Sequence, residues 1–455
     1  MTAFTIPEYG ELRCGGGEGE AGAAQIEALL AAGAAASLGL AESARRSGLP
    51  PRDEDDERKP SEDRVVRPSR NGLRAAGIVG VLTAGDVTLE ILPKIDDALE
   101  TNAKDDAKPR EQLIHMLADA LDLPLDMRPD ARLGTQDQTL LDVVIISFVS
   151  RLEAAVRRGL ARRYVAVNGD LPVLRGRLDV RRQYTALLAM PWKVACGFDE
   201  LSVDTPLNRC LKATLVLLHV HARAEPVRRA IVALLPAFDG VRDRSVEFGA
   251  ARRQLDRTDR AFHELLDLAE LLTRSQYQTS SSGRDAGLAL LFDMPTLFER
   301  AVATALRRVA GPEERVSTQD TSESLMARSK AFTLKPDIVV RRGDETVILD
   351  TKWKRPDGNP SSGDAYQMLA YAHAYGARDC ILVYPSAKTL SASEDKSRPR
   401  RTAVTGRPLV RPSSRDQDGR VSSFEWRLHQ ADLSLADYTT VDAQLRAMLN
   451  PFPPA

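Results

Sequence analysis

KPDIVVRRGDETVILDTKWK, residues 335–354, decides how the rest of the chain is read. Two short apolar runs, Ile338-Val339-Val340 and Val347-Ile348-Leu349, flank Arg-Gly-Asp-Glu. β-Branched runs broken by a Gly-Asp turn predict a β-hairpin. Polar residues occupy the strand ends. Asp337 opens the first strand, and Asp350 and Lys352 close the second. Side chains alternate along a strand, so Asp350 and Lys352 share a face and Thr351 points to the other. A hairpin register can bring Asp337 beside them. Two carboxylates and an ammonium are then gathered on one edge of a small sheet.

This trio suits metal-assisted phosphodiester hydrolysis. The carboxylates would hold Mg²⁺, a hard ion that takes oxygen ligands and keeps several waters. The metal would lower the pKa of a bound water and stabilise developing charge. Lys352 would orient that water or neutralise charge on the scissile phosphate. Asp and Lys also cap ordinary exposed hairpins, so the trio acquires meaning only from its surroundings. The pattern, Pro-Asp followed thirteen residues later by Asp-x-Lys, resembles the PD-(D/E)xK nuclease signature.

At 455 residues the chain has room for two or three domains with a sizeable core. A net charge of −1 gives no global pull toward nucleic acid, so DNA contact requires a local basic surface. Cys14, Cys196, Cys210 and Cys380 form no CxxC pair, which points away from a zinc site or an iron–sulfur cluster. No Walker A, Gly-x-Ser-x-Gly or dinucleotide pattern is present, so the chain is not expected to hydrolyse nucleotides itself. Nothing resembles a signal peptide or an uninterrupted apolar span, and a cytoplasmic protein without membrane contact is the simple expectation.

Along the chain, residues 1–72 read as an Ala-rich and charged, partly flexible segment, with 44–72 as a linker. Residues 73–275 read as one domain: a hairpin over 76–82 and 87–92, then helices over 111–121 and 138–160. Another helix starts at Pro206 behind Asp204 or Thr205 as N-cap, and a further one covers 258–273. Arginines are dense from 151 to 182, around the Gly176 bend of LPVLRGRLDV. They suit phosphates, an acidic partner or plain solvation. The polar stretch 274–287 marks a boundary before a domain at 288–455. That domain reads as a helix over 294–309 carrying Glu299, the hairpin, a helix over 364–375 and a buried strand at 380–384. A loop over 387–420, an edge strand at 424–429 and a helix over 441–449 follow. Gln367 and Tyr371 are four apart, on one helix face, where amide and phenol reach the site or the DNA together. With a short strand before Phe332, the order is αβββαβ.

LFERAV around Glu299, LKPDIVV, ILDTKWK and YQMLAYAHAYG, together with GVLTAGDVTLEILPKI, LRGRLDV and FDELSVDTPLNRCLKATL, are collinear from residue 77 to 384. In that combination they resemble the McrC family, the nuclease subunit of the McrBC modified-cytosine-dependent restriction system. The resemblance implies a mixed α/β fold. An N-terminal α+β region would dock a partner, and a C-terminal PD-(D/E)xK domain with an αβββαβ core would cut DNA. It implies Mg²⁺ held by Asp337, Asp350 and Glu299, with Lys352 and Gln367 in the chemistry and Lys335, Lys354 and Tyr371 at the DNA. It also implies a hexameric AAA+ GTPase of the McrB type that reads the modified base, moves DNA and is stimulated by this chain. Two rival classes share these features: an adaptor that activates such a motor with little nuclease activity, and a stand-alone RecB-like repair nuclease.

Overall fold

The computed structural model describes residues 2–17, 19–46, 65–94, 107–120, 140–222, 224–243, 246–255, 260–274, 276–278, 286–326, 332–354, 359–386, 400–405, 409–415 and 421–449. The chain divides into two compact units, one made of residues 1–136 with 277–455, the other of 137–276. The stretch 73–275, read from the sequence as one domain, is therefore divided, while the polar boundary after residue 274 lies at a seam.

The reason is sheet pairing. Strands β1 (Thr2–Pro7), β2 (Ile78–Ala84), β3 (Val87–Leu92) and β4 (Ala286–Asp293) run in one sheet in the order β1-β3-β2-β4. β3 is buried at every position and β2 at most, so neither is stable as an isolated hairpin with open edges. β1 covers β3 in parallel, and β4 covers β2 in antiparallel. Of the stretch 1–72, read as an Ala-rich and charged, partly flexible segment, residues 2–7 and 23–46 thus belong to the fold of the first unit. β1 and the helix Ala23–Arg46 bring Phe4, Ile6, Ile26 and Leu29 into a core with Leu82, Leu89 and Ile91. Residues 47–64, most of the expected linker, lie outside the described residues.

The second sheet carries the hairpin. It is built from β5 (Glu314–Thr318), β6 (Ile338–Arg342), β7 (Glu345–Thr351), β8 (Asp379–Ser386), β9 (Arg400–Thr405) and β10 (Arg427–Ser434), in the order β5-β6-β7-β8-β10-β9. β5 is the short strand that the sequence left conditional. The β6–β7 turn places Gly343 at φ 54, a left-handed conformation glycine adopts without penalty. Helix α1 (Met294–Val309) starts where the Asp293 side chain accepts from Thr296 N. Helix α2 (Ser362–Tyr375) starts at Ser361, which accepts from Asp364 N, and stops at Gly376, φ 63. It is the crossover between the parallel strands β7 and β8. Helix α3 (Val441–Leu449) ends the described chain.

Two expectations fail here. Residues 387–420, read as loop, contain β9 and the strand Leu409–Arg415. The strand read as an edge at 424–429 is β10, and it lies between β8 and β9. The basic sequence of β9, RRTAVT, hides a strand that pairs in antiparallel with β10.

The unit of residues 137–276 packs helices Leu140–Arg158, Pro206–His221 and Arg260–Arg274 with a three-stranded sheet of Arg163–Leu171, Val194–Ser202 and Arg177–Leu178. Thr205 is the N-cap expected before Pro206. Gly176 sits at φ 70, and a Cβ there would lie 2.5 Å from Gly197 O, so the LRGRLDV bend requires glycine. The arginine-dense stretch is not one solvated stripe. Arg175 stacks on Phe198 at 4.2 Å, Arg182 pairs with Asp170 and Arg163 donates to Gln254 O. Tyr164 and Val173 within that stretch, and Tyr184, Leu188 and Trp192 just after it, are exposed.

Candidate active site

The hairpin register assembles the acids. Ile338 pairs with Leu349 at the end of the β6–β7 ladder, so the next residues, Asp337 and Asp350, come close enough for the charge of Asp337 to act on Asp350. Asp337 turns one oxygen onto the neighbouring strand: Oδ2 accepts from Thr351 N and from Thr351 Oγ1, both at 2.8 Å. Thr351 thus serves the site although its side chain leaves Asp350 and Lys352, as alternation requires.

Asp350 is 2 % exposed. Lys352 Nζ lies 2.8 Å from its Oδ2. The ammonium is the close partner of that buried oxygen, as an ion pair and as a charge that steadies the carboxylate. Lys352 Nζ also donates to Gln367 Oε1 at 3.1 Å and lies 3.3 Å from Asp364 Oδ1. The first turn of α2 therefore supplies Asp364, and its second turn Gln367. Gln367 Nε2 donates to Tyr371 Oη at 2.9 Å, and Tyr371 Oη donates to Lys335 O at 3.1 Å. Tyr371 is 4 % exposed, so its expected role as a DNA contact is corrected: packed against Met368 and Ile348, it holds Gln367. Lys335 and Lys354 are both exposed, and Lys354 Nζ lies 4.8 Å from the centre of the Tyr9 ring.

Glu299, half-buried on α1, joins through a residue the sequence did not single out. Gln319 Nε2 donates to Glu299 Oε1 at 2.5 Å and lies 3.5 Å from Asp337 Oδ1. Its backbone N–H binds Asp337 O at 2.9 Å, with Gln319 at φ 50 just beyond β5. No motif marks Gln319. Only the left-handed turn after β5 brings it between the two acids.

Burial raises the Asp337 carboxyl, and Glu299 raises it further. Burial also raises Asp350, with Asp337 adding to the effect and Lys352 opposing it. Burial raises Glu299 in the same way, against the hydrogen bond from Gln319. Burial alone would pull the Lys352 ammonium down, but Asp350, Asp364 and Asp337 outweigh it and keep the charge in place. The site holds more negative charge than its one internal cation neutralises, and acids with raised pKa in such a cluster mark a candidate functional site.

Do these residues fit Mg²⁺? Among the described residues, no three His, Cys, Asp or Glu side chains converge into a ready-made cage. Mg²⁺ does not need one, since one or two carboxylates, waters and substrate phosphates are its usual ligands. Asp337 and Asp350 are two buried carboxylates close enough for the charge of one to act on the other, and burial raises the pKa of both. The donor set fits a hard divalent cation.

A family model described as "McrBC 5-methylcytosine restriction system component" matches residues 73–385. Among solved structures, a chain of the "refined half-complex from tetradecameric assembly of Thermococcus gammatolerans McrB AAA+ hexamers with bound McrC" is 24% identical, covers 98% of this chain and 99% of its own, and superposes with a TM-score of 0.67. A chain of the cryo-EM structure of the Thermococcus gammatolerans McrBC complex is 25% identical, covers 68% of this chain and 88% of its own, with a TM-score of 0.52. No curated protein matches the chain. No helix among the described residues is long and apolar enough to cross a membrane.

Proposed function

The chain belongs to the McrBC 5-methylcytosine restriction system component family, and from that membership we propose that it is the Mg²⁺-dependent DNA-cutting subunit of such a system. The observation that carries this reading is the gathering of Asp337 and Asp350 just beyond the Ile338–Leu349 pair that ends the hairpin ladder, beside Lys352. The order α1, β5, β6, β7, α2, β8 is that of a PD-(D/E)xK core, and it supports assigning the site to that nuclease class.

In this reading Asp337 and Asp350 hold Mg²⁺, with Glu299 directly or through water. The ion, when bound, supplies a water of lowered pKa and neutralises charge developing on the phosphate. Lys352 stays protonated and presents its ammonium to a non-bridging phosphate oxygen or to the attacking water. Gln367 and Asp364 fix the lysine, so the charge is pre-oriented before DNA arrives. Tyr371 fixes Gln367 in turn. Lys335 and Lys354 lie exposed nearby in sequence and suit the DNA backbone.

The neighbouring structures contain McrC bound to McrB AAA+ hexamers, and the same kind of partner is proposed for this chain. The unit of residues 137–276 is the proposed docking part. It exposes Tyr164, Tyr184, Leu188 and Trp192 among arginines, a composition suited to a protein interface rather than to free solvent. The chain shows no phosphate-binding loop in its sequence, so nucleotide turnover is assigned to the partner.

The test is reconstitution of the full chain with its AAA+ partner, NTP, Mg²⁺ and DNA carrying 5-methylcytosine. Cleavage should require all of them, and Asp350→Ala should abolish it while NTPase stimulation persists. Cleavage that survives in Asp350→Ala overturns the site assignment. Cleavage by the isolated chain with Mg²⁺ alone would favour the RecB-like reading instead.

A further inference from the structure

Glu8 follows β1, outside the matched residues 73–385, yet its carboxylate reaches the residue after the site lysine. Glu8 is 2 % exposed. Its Oε1 accepts from Trp353 Nε1 at 2.8 Å and from Lys94 N at 3.0 Å, while Oε2 is buried with no hydrogen-bond partner. Burial raises its pKa against those two hydrogen bonds and the Lys354 charge. A buried carboxyl with one idle oxygen destabilises a fold, so an apolar residue of similar size would serve simple packing better.

What the carboxyl does achieve is a fixed indole. Trp353 is 8 % exposed and meets Phe298 edge-on, with ring centres 5.6 Å apart. Phe298 immediately precedes Glu299, and Trp353 immediately follows Lys352. The regular ladder of β7 ends at Thr351. Beyond it, Lys352 N still donates to Val383 O, and the next anchor is the indole on Glu8. One carboxyl therefore ties the exit of the site strand to the helix bearing Glu299.

We propose that Glu8 is a positioning residue for the nuclease site, setting through Trp353 the spacing between Asp350 and Lys352 on one side and Glu299 on the other. The inference rests on reading the site as a Mg²⁺ nuclease. Glu8 touches neither metal nor DNA and acts only through the indole. It also gives the N-terminal strand a part in the chemistry performed more than three hundred residues later.

The experiment uses the full chain. Mg²⁺ binding is measured by calorimetry without DNA, and single-turnover cleavage is measured in the complex with the AAA+ partner. The variants are Glu8→Ala, Glu8→Gln, Trp353→Phe and the double Glu8→Ala/Trp353→Phe. Glu8→Ala and Trp353→Phe should each weaken Mg²⁺ binding and slow cleavage about tenfold, the scale of a lost partner behind a metal site. The double variant should be no worse than either single, because both delete one bond. Glu8→Gln keeps the acceptor and should stay near wild type. Should Glu8→Ala fail to fold, Trp353→Phe against Glu8→Gln still decides the matter. Wild-type Mg²⁺ binding and cleavage in Trp353→Phe, or additive losses in the double, overturn the proposal. Asp350→Ala run alongside separates the two levels: if it is inactive while Trp353→Phe is normal, only the role of Glu8 falls, whereas if it still cuts, the nuclease reading itself falls.

Discussion

Replacing Asp350 with Asn should move activity and stability in opposite directions. Asp350 is 2 % exposed, lies near Asp337 and has Lys352 Nζ at 2.8 Å from Oδ2. Burial, and then Asp337, raise its pKa above the ordinary 3.8. An acid whose folded pKa lies above its unfolded one binds protons more tightly in the native state. The metal-free protein should therefore lose stability as pH rises from about 4 through the raised pKa. Each pKa unit corresponds to about 1.4 kcal/mol before screening, and Lys352 returns part of that. Asp350→Asn removes the ionisation, so the variant should gain about 1–2 kcal/mol at pH 8 without metal. For a unit of this size that is a rise in Tm of about 1.5–3 °C. The gain should shrink toward zero at pH 4, where the wild-type carboxyl is protonated too. Mg²⁺ should raise the wild-type Tm and leave that of the variant unmoved. With Asp350 as the proposed metal ligand, its loss should lower cleavage at least about a thousandfold. Calorimetric scans at pH 4 and pH 8, each with and without Mg²⁺, supply the stabilities. Asp350→Asn being less stable than wild type at pH 8 without metal would refute the reasoning, because the carboxylate would then be a stabilising partner of Lys352 rather than a charge awaiting a cation.

Three further outcomes are expected. Lys352→Met should cut the single-turnover rate by about a hundredfold or more while Mg²⁺ binding is retained or strengthened, since the ammonium competes for Asp350; an unchanged rate would remove Lys352 from the chemistry. Gln319→Ala frees Glu299 and Asp337 from their common donor, and the rate should drop about tenfold with little change in Tm, read by cleavage and thermal scans in parallel. Burial would raise the Glu314 carboxyl, but Arg342, Gly311 N and Arg446 outweigh it and hold it at about 2. Its contribution is complete above pH 4.5 and disappears as pH falls through about 2, so Glu314→Gln should cost about 2 kcal/mol at pH 7 and progressively less below pH 4.5, measured by urea unfolding across that range.

The hairpin is legible in the sequence because it is local. Two β-branched runs and a Gly-Asp turn specify β6 and β7, and the period of two puts Asp350 and Lys352 on one face. Helix α1 is legible from its amphipathic periodicity, and its bounds agree with the reading. The spacing of Gln367 and Tyr371 gave a shared helix face, but not that one is buried and holds the other. β9 was missed because a polar sequence becomes a strand only when β10 offers it a ladder.

By itself, then, the sequence determined which residue types could do the chemistry and which of them share a strand or helix face, since those relations depend only on backbone periodicity. Tertiary structure decided everything set by long-range pairing. It placed Asp337 near Asp350, put Gln319 between Glu299 and Asp337, and joined residues 1–136 to 277–455. It also brought Glu8 to Trp353. No local pattern encodes such contacts, because they arise where buried strands such as β2 and β3 take whatever partners complete their hydrogen bonds, however distant along the chain.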